Sequence, residues 1–367
     1  DEGAHMGETR AEICLATTNL TEDIAFFTKS LGMRMDTIFP ADDPSVAVFS
    51  GHGIRLRLEA GTAAPHGVLR IATDDSDSFA DRALVSPGGT RVDICDLNPP
   101  LEMPATVHSF VVRRLADQAP WIIGRAGMHY RDLIPDRLGG SIIASHIRIP
   151  DGGPVPDMVH YHTIGFQLIF CYKGWVDLVY EDQGEPFRLE EGCCVIQPPE
   201  IRHRVLFASD NIEVIEIGVP AEHITTLDHE MTLPNRPANP DRRFQGQRFV
   251  HHRIGEATWA PFRLAGFEGR DTGISDGTQG VAGVQVARRT EGPTGWSVHD
   301  SDILFTFVME GSMRLEAAHR DPVDLAPGDA FVIPPGLAVQ YANPSEDLEL
   351  LEVSLPGVFE TRDAAPN

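Results

Sequence analysis

His160 and His162 flank a single tyrosine, Tyr161. In a β-strand, side chains at i and i+2 point to the same face, so in an extended stretch both imidazoles enter one interior while Tyr161 faces away. Paired imidazoles are ligands for iron(II), zinc, copper, nickel or manganese. His146 and Arg148 have the same spacing upstream, and a guanidinium beside an imidazole on one strand face can hold an anionic group of a substrate. The alternative for Arg148 is a surface ion pair. The five cysteines (Cys14, Cys95, Cys171, Cys193, Cys194) contain no CxxC pair, which speaks against both a structural zinc site and a disulfide framework.

The elements that must position these residues show themselves through an internal repeat. Arg131-Asp132 recurs as Arg270-Asp271, Gly174 as Gly311, Gly192 as Gly328 and Pro198-Pro199 as Pro334-Pro335, at offsets of 139, 137, 136 and 136. Short alternating runs lie between these landmarks, such as 141–149 beside 281–287, and predict two copies of a many-stranded β-domain. The proline-rich stretch 228–243, with Pro234, Pro237 and Pro240, reads as the connection between them.

Within the first copy, His160, His162, Gln167 and Gly174 are followed by Gly192, Pro198 and His203. This order and spacing resembles the two motifs of the cupin superfamily, over about residues 125–225, with Glu200 where the second motif usually has glycine. The resemblance implies a double-stranded β-helix, or jelly-roll, in which His160, His162, Gln167 and His203 hold one divalent metal and His160, His162 and His203 carry the chemistry. A glutamine in place of the commoner glutamate leaves the full divalent charge on the site, which favours an anionic chelating substrate such as an enolate, catecholate or keto acid. With Gln167 inward, Ile169 and Cys171 share its face; Cys171 either lines the pocket or is a small buried apolar group. Alternation puts one of Cys193 and Cys194 inside and the other outside.

Aligning Gly311 with Gly174 places Ser297 and His299 at the two histidine positions, Leu304 at the glutamine and Val339 at the last histidine. The second copy, over about 263–357, therefore resembles a cupin domain that has lost its metal, with His299 facing a vestigial pocket.

Upstream, Asn19 precedes a helical run 24–31, and three β-like runs follow at 33–39, 45–49 and 54–58. This βαβββ order, with Asn19-Leu20, Phe26-Phe27 and Leu31-Gly32, resembles one module of the vicinal oxygen chelate, or glyoxalase-like, superfamily. A second, shorter module is expected over 67–98, with a helix at 78–83 and a strand at 91–95. That superfamily binds metal through four ligands across two modules, but here only Glu12 and Glu59 stand near ligand positions, so a scaffold or dimerisation role is expected. The fold class is thus mainly β: two cupin jelly rolls preceded by an α+β glyoxalase-like domain. The segments are a start at 1–10 whose Asp1–Met6, including His5, reads as a tag remnant, then 11–105, the metal-binding copy 106–227, a linker 228–262, the degenerate copy 263–357 and a tail 358–367.

A formal net charge of −24 repels phosphate backbones and anionic membranes, so nucleic acid and membrane are not expected partners. No run reaches the roughly 18 apolar residues of a membrane span, and the start lacks an export signal; the expected compartment is the cytoplasm. No GxGxxG or phosphate loop implies a nucleotide. One live and one silent copy, with the His160–Thr163 run, resembles gentisate-type ring-cleaving dioxygenases. The implied function is an Fe(II)-dependent dioxygenase acting on a small anionic enolic, phenolic or keto acid, with Mn, Ni, Zn or Cu as other metals. The alternatives are a non-redox isomerase, cyclase, lyase or hydrolase using the metal as Lewis acid, and a non-catalytic small-molecule-binding protein. A homodimer is expected by analogy with cupins.

Overall fold

A computed structural model of the chain describes residues 8–30, 32–51, 53–62, 68–79, 81–85, 91–117, 121–124 and 127–366. Asp1–Met6, Leu31 and Gly67, which entered the expectations above, lie outside these residues. The chain forms two compact units: residues 1–102 with 160–163 and 223–230, and the remainder, 103–159, 164–222 and 231–367. Among the described residues no helix is long and apolar enough to cross a membrane.

The first unit is a sheet with one short helix against it. Its order βαβββ is observed: strand Thr9–Thr17, helix Leu20–Ala25, then strands Arg34–Phe39, Val46–Gly51 and Ile54–Ala60. Asn19 caps the helix by accepting from the Glu22 amide at 3.1 Å, which satisfies one of the orphan N–H groups of the first turn. Thr9–Thr17 runs parallel to Ile54–Ala60 and antiparallel to Val68–Thr73. Leu20, Met33, Ala47, Phe49, Leu56 and Leu58 form its core. Among the described residues of the segment 78–83, which exclude residue 80, no α-helix is present: the structure has a three-residue 3-10 turn, Ser76–Ser78, and a strand, Ala83–Val85. Asp75 and Ser78 hydrogen-bond locally, the Ser78 hydroxyl to the Asp75 carbonyl at 2.8 Å, and such side chains favour turns over helix. The strand Arg91–Asp96 is where the sequence placed one.

Two strands from far along the chain complete this sheet. His160–Thr163 pairs with Ile224–Leu227, which pairs through Thr37↔Thr226 with Arg34–Phe39. The strand bearing His160 and His162 is therefore anchored on an N-terminal strand.

The second unit holds the two repeats. In the first, a seven-stranded sheet contains Phe166–Lys173, Ile212–Val219, Ile143–Ile149 and His129–Asp132, and Phe187–Glu190, Trp175–Tyr180 and His203–Ala208 hydrogen-bond to one another in that order. The second repeats this plan, with Phe267–Asp271, Gly283–Arg289, Glu349–Leu355 and Ile303–Glu310 in one sheet and Met313–Ala317, Val339–Ala342 and Trp296–His299 in the other. The fold is mainly β, as the alternating runs of the repeat predict.

The repeats exchange strands. Val111–Arg113 pairs with Ala330–Val332 of the second copy, and His251–His252 pairs with Cys194–Ile196 of the first. The stretch 228–262, expected as a linker, thus supplies a strand to the sheet before it, and Trp259–Pro261 pairs with Phe267–Asp271. The two large sheets bury Phe166, Leu168 and Phe170 against Phe305, Phe307 and Leu351 in one apolar cluster. Truncating one such phenylalanine to alanine costs about 3–5 kcal/mol, because transfer and cavity costs add.

Candidate metal centre

His160 and His162 sit at alternate positions of His160–Thr163, both buried, at 2% and 6% exposure, with ring centroids 5.2 Å apart. His203 opens the strand His203–Ala208 and is equally buried. One donor atom from each of the three lies within 4.8 Å of the other two. Among the described residues this is the one such grouping of His, Cys, Asp and Glu side chains.

The rings are held in a state that suits a metal. His203 Nδ1 lies 2.9 Å from the Ile201 carbonyl oxygen, which can only accept, so Nδ1 carries the proton and Nε2 the lone pair. His162 Nδ1 lies 2.9 Å from the Thr225 hydroxyl, a residue with no exposure, on the strand that pairs with it. Ligating histidines commonly donate their second nitrogen this way, which fixes tautomer and orientation. Three buried imidazoles whose donor atoms lie this close together are the donor chemistry of a divalent transition metal.

Gln167 is buried on Phe166–Lys173. Its Oε1 accepts from Gln197 Nε2 at 2.9 Å, and the same Nε2 lies 3.1 Å from His203 Nε2. Gln197 Oε1 in turn accepts from the Tyr180 hydroxyl at 2.9 Å. Burial holds that phenol well above its ordinary pKa, and its ring stacks on His203 at 5.7 Å.

The remaining sequence candidates stand elsewhere. Ile169, Cys171 and Cys193 share one apolar cluster with Ile147, whereas Phe166, Leu168, Phe170 and Cys194 belong to the cluster between the repeats. Cys171 has no exposure, and burial pushes its thiol up to about 12; it is a small core group, not a thiolate. His146 and Arg148 do share a face of Ile143–Ile149, but it is the face opposite Ile147. His146 is locked between Arg131 Nη2 at 2.7 Å and Glu213 Oε1 at 2.8 Å, with Trp121, Tyr172 and Phe307 around its ring. Burial lowers its pKa despite Glu213. Arg148 is exposed and donates to Asn211 Oδ1. The structure thus places neither with the three histidines, because both faces of that strand are buried and alternation alone does not say which one looks inward.

In the second copy His299 is occupied otherwise. Its Nε2 lies 2.8 Å from the Ile333 carbonyl oxygen and its Nδ1 accepts from the Ser301 amide at 3.1 Å. Ser297 faces Val339 in register, and Leu304 is buried in its strand. The core holds an ion pair, Arg263 to both oxygens of Glu352. In the N-terminal unit the Glu12 carboxylate accepts from Arg55 and Arg70, and Glu59 pairs with Arg57.

Several residues escaped the sequence reading. Gln197 bonds to Gln167 and His203, Thr225 to His162 and Tyr180 to Gln197, and the His223 ring lies 5.5 Å from that of His162. Glu216 stands opposite Ile169 in register, which turns its carboxylate to the face of Gln167 and Cys171. The nearby proline and glycine landmarks hinted at Gln197, which immediately precedes Pro198; nothing local marked the others, whose partners are distant in sequence.

A family described as "Cupin domain" matches residues 286–354. The fold is that of a bicupin. Similar solved structures include the formate complex of Lactobacillus farciminis oxalate decarboxylase, 12% identical with a TM-score of 0.51 over 71% of this chain and 90% of that one. A tryptophan-to-phenylalanine variant of the Bacillus subtilis oxalate decarboxylase is 11% identical, with a TM-score of 0.51 over 71% of this chain and 81% of that one. A comparison with curated proteins finds no match. The family match lies on the copy without the three histidines, so for the first copy the cupin fold rests on the structural likeness and on the repeat.

Proposed function

We propose that this bicupin is a metal-dependent enzyme in which His160, His162, His203 and the Gln167 amide oxygen hold one divalent metal. The observation that carries this reading is the convergence of three buried imidazoles, one donor atom of each within 4.8 Å of the others. When bound, the metal supplies a Lewis acid with open positions for a chelating substrate and, if it is iron, for dioxygen. No carboxylate enters the ligand set, so the full divalent charge remains and selects a small anionic enolic, phenolic or keto acid. Thr225 and the Ile201 carbonyl orient His162 and His203, and the apolar wall of Ile169, Cys171 and Cys193 excludes water. On this basis we favour an Fe(II) dioxygenase of the ring-cleaving type, with a homodimer as its working form and the cytoplasm as its compartment. His146 and Arg148 are left out of the substrate site, and the N-terminal unit is read as a glyoxalase-like scaffold.

One observation favours a second reading. Glu216 offers an interior carboxylate able to act as acid or base, which a non-redox lyase would need. The similar Bacillus subtilis oxalate decarboxylase is described with Mn(II) centers. Elemental analysis of protein purified without added metal, with oxygen uptake followed on a panel of enolic and phenolic acids, separates the two. Iron near one per chain with substrate-dependent uptake supports the dioxygenase. Manganese, nickel or zinc with turnover and no uptake supports the lyase; no metal under any reconstitution overturns both.

A further inference from the structure

We infer that the N-terminal unit carries a binding site for a small organic carboxylate, in a cleft walled by Arg10, Arg34 and Arg55. It is independent of the metal-centre reading: no candidate ligand lines it, and among the described residues its walls include neither Glu12 nor Glu59. The cleft has a volume of about 680 Å³, within the roughly 300–1,000 Å³ common for small-molecule sites. Its lining comes from the start of Thr9–Thr17, from Arg34, and from the end of Val46–Gly51 and the start of Ile54–Ala60. Arg34 and Arg55 each stand opposite Ser50 in register, one on either side of it, and opposed residues share a face of the sheet. Two guanidiniums thus flank one hydroxyl. Buried carboxylates orient them: Asp36 accepts from Arg34 Nε at 3.1 Å, and Glu12 from Arg55 Nε at 3.0 Å. The remaining partners are loose. Glu230, 87% exposed, meets Arg34 Nη1 at 3.2 Å, and Arg10 pairs with Glu8 with both side chains more than half exposed. Ion pairs that open to water contribute little, so an incoming carboxylate can replace Glu230 and Glu8 while Asp36 and Glu12 keep Arg34 and Arg55 in place. A net charge of −24 repels anions at large, and the local cluster supplies the attraction. Ala11, Ile13 and Ile54 line the same cleft, and both isoleucines are exposed. A carboxylate on an aromatic or aliphatic body pairs with the guanidiniums and covers this apolar wall at once.

The test is calorimetric titration of the full-length metal-free protein at low ionic strength, with benzoate as the probe and benzamide as its neutral counterpart. Arg10→Gln and Arg34→Gln each remove a cation from the cleft, Glu230→Gln removes a carboxylate that the probe displaces, and His162→Ala controls for benzoate taken up at the metal centre. Arg10, Arg34 and Glu230 are exposed, so these substitutions leave the core of the unit in place. A hydrogen bond to a charged group is worth about tenfold in affinity. Benzoate is expected to bind once per chain, with affinity lowered by about that factor for benzamide and in each arginine variant. In Glu230→Gln it should bind about two- to fivefold more tightly, the worth of an exposed ion pair, and in His162→Ala as in the wild type. No binding of benzoate, equal binding of benzamide, or an affinity untouched by Arg10→Gln and Arg34→Gln overturns the site. Binding lost in His162→Ala and kept in the arginine variants assigns benzoate to the metal centre and overturns the site as well. An unchanged affinity in Glu230→Gln overturns the displacement of Glu230 from Arg34.

Discussion

The guanidinium of Arg131 ends 2.6 Å from the carbonyl oxygen of Gly328, and its counterpart Arg270 ends 2.9 Å from that of Gly192. Each repeat thus reaches into the other with the same residue and the same bond. The neighbours repeat too: Trp121 lies over Arg131 and Trp259 over Arg270, at 5.9 and 6.0 Å. Removing either arginine leaves a buried carbonyl oxygen without this donor, which costs about 1–3 kcal/mol. Urea denaturation of Arg270→Ala should show a lowered midpoint and an unfolding free energy smaller by that amount, with metal content unchanged. An unaltered midpoint would mean that the bond adds nothing.

The two copies should differ in metal. His162→Ala is expected to empty the centre, whereas His299→Ala, whose ring is already bonded to Ile333 and Ser301, should keep wild-type metal content by elemental analysis. Equal loss in both would contradict the silence of the second copy.

The thiols give an independent check on the interior. Burial raises Cys171 and Cys194 to about 12, and the thiolate is the reactive form. Brief alkylation of the native protein at pH 8 should label Cys14 and Cys95, which are partly exposed, ahead of Cys171, Cys193 and Cys194; urea should open all five. Cys171→Ala should retain its metal. Mass spectrometry of the peptides reads the order, and early labelling of Cys171 would place it in an open pocket.

Acid should weaken the fold through His251. Burial lowers its pKa from 6.5 to about 4, and Arg253 and His252 add to the shift. The unfolded chain then binds the proton more readily, so stability is full above about pH 6.5 and is lost as the pH falls toward 4. His251 stacks on Phe187 at 4.4 Å within the exchanged strand. The melting temperature of His251→Gln should therefore fall less steeply between pH 6.5 and 4 than that of the wild type. Parallel slopes would refute the contribution.

What the sequence made legible were features with a fixed period. His160 and His162 share a face because strands alternate, and the same rule divided Cys193 from Cys194 and Ile169 from Phe170. The landmarks of the repeat proved to be the arginines and glycines that bond across it. Illegible were choices that alternation leaves open. The strand of His146 is buried on both sides, so its period did not reveal that Ile147, and not His146, looks toward Cys171. Thr225 and Gln197 acquire their meaning from partners 63 and 30 residues away. The helix expected at 78–83 failed because Ser76–Ser78, flanked by Asp75, closes its hydrogen bonds locally.

The exchanged strands bear on how a duplicated domain ages. His251–His252 finishes the sheet edge of the first copy, and Val111–Arg113 finishes the edge of the second. The second copy takes its part in this mutual edge-capping with Ser297 and Val339 at the positions of His160 and His203. Deleting that copy from residue 251 onward would instead bare Cys194–Ile196 as an open edge, ready to recruit another chain. The second copy is thus bound to persist in shape whatever its chemistry.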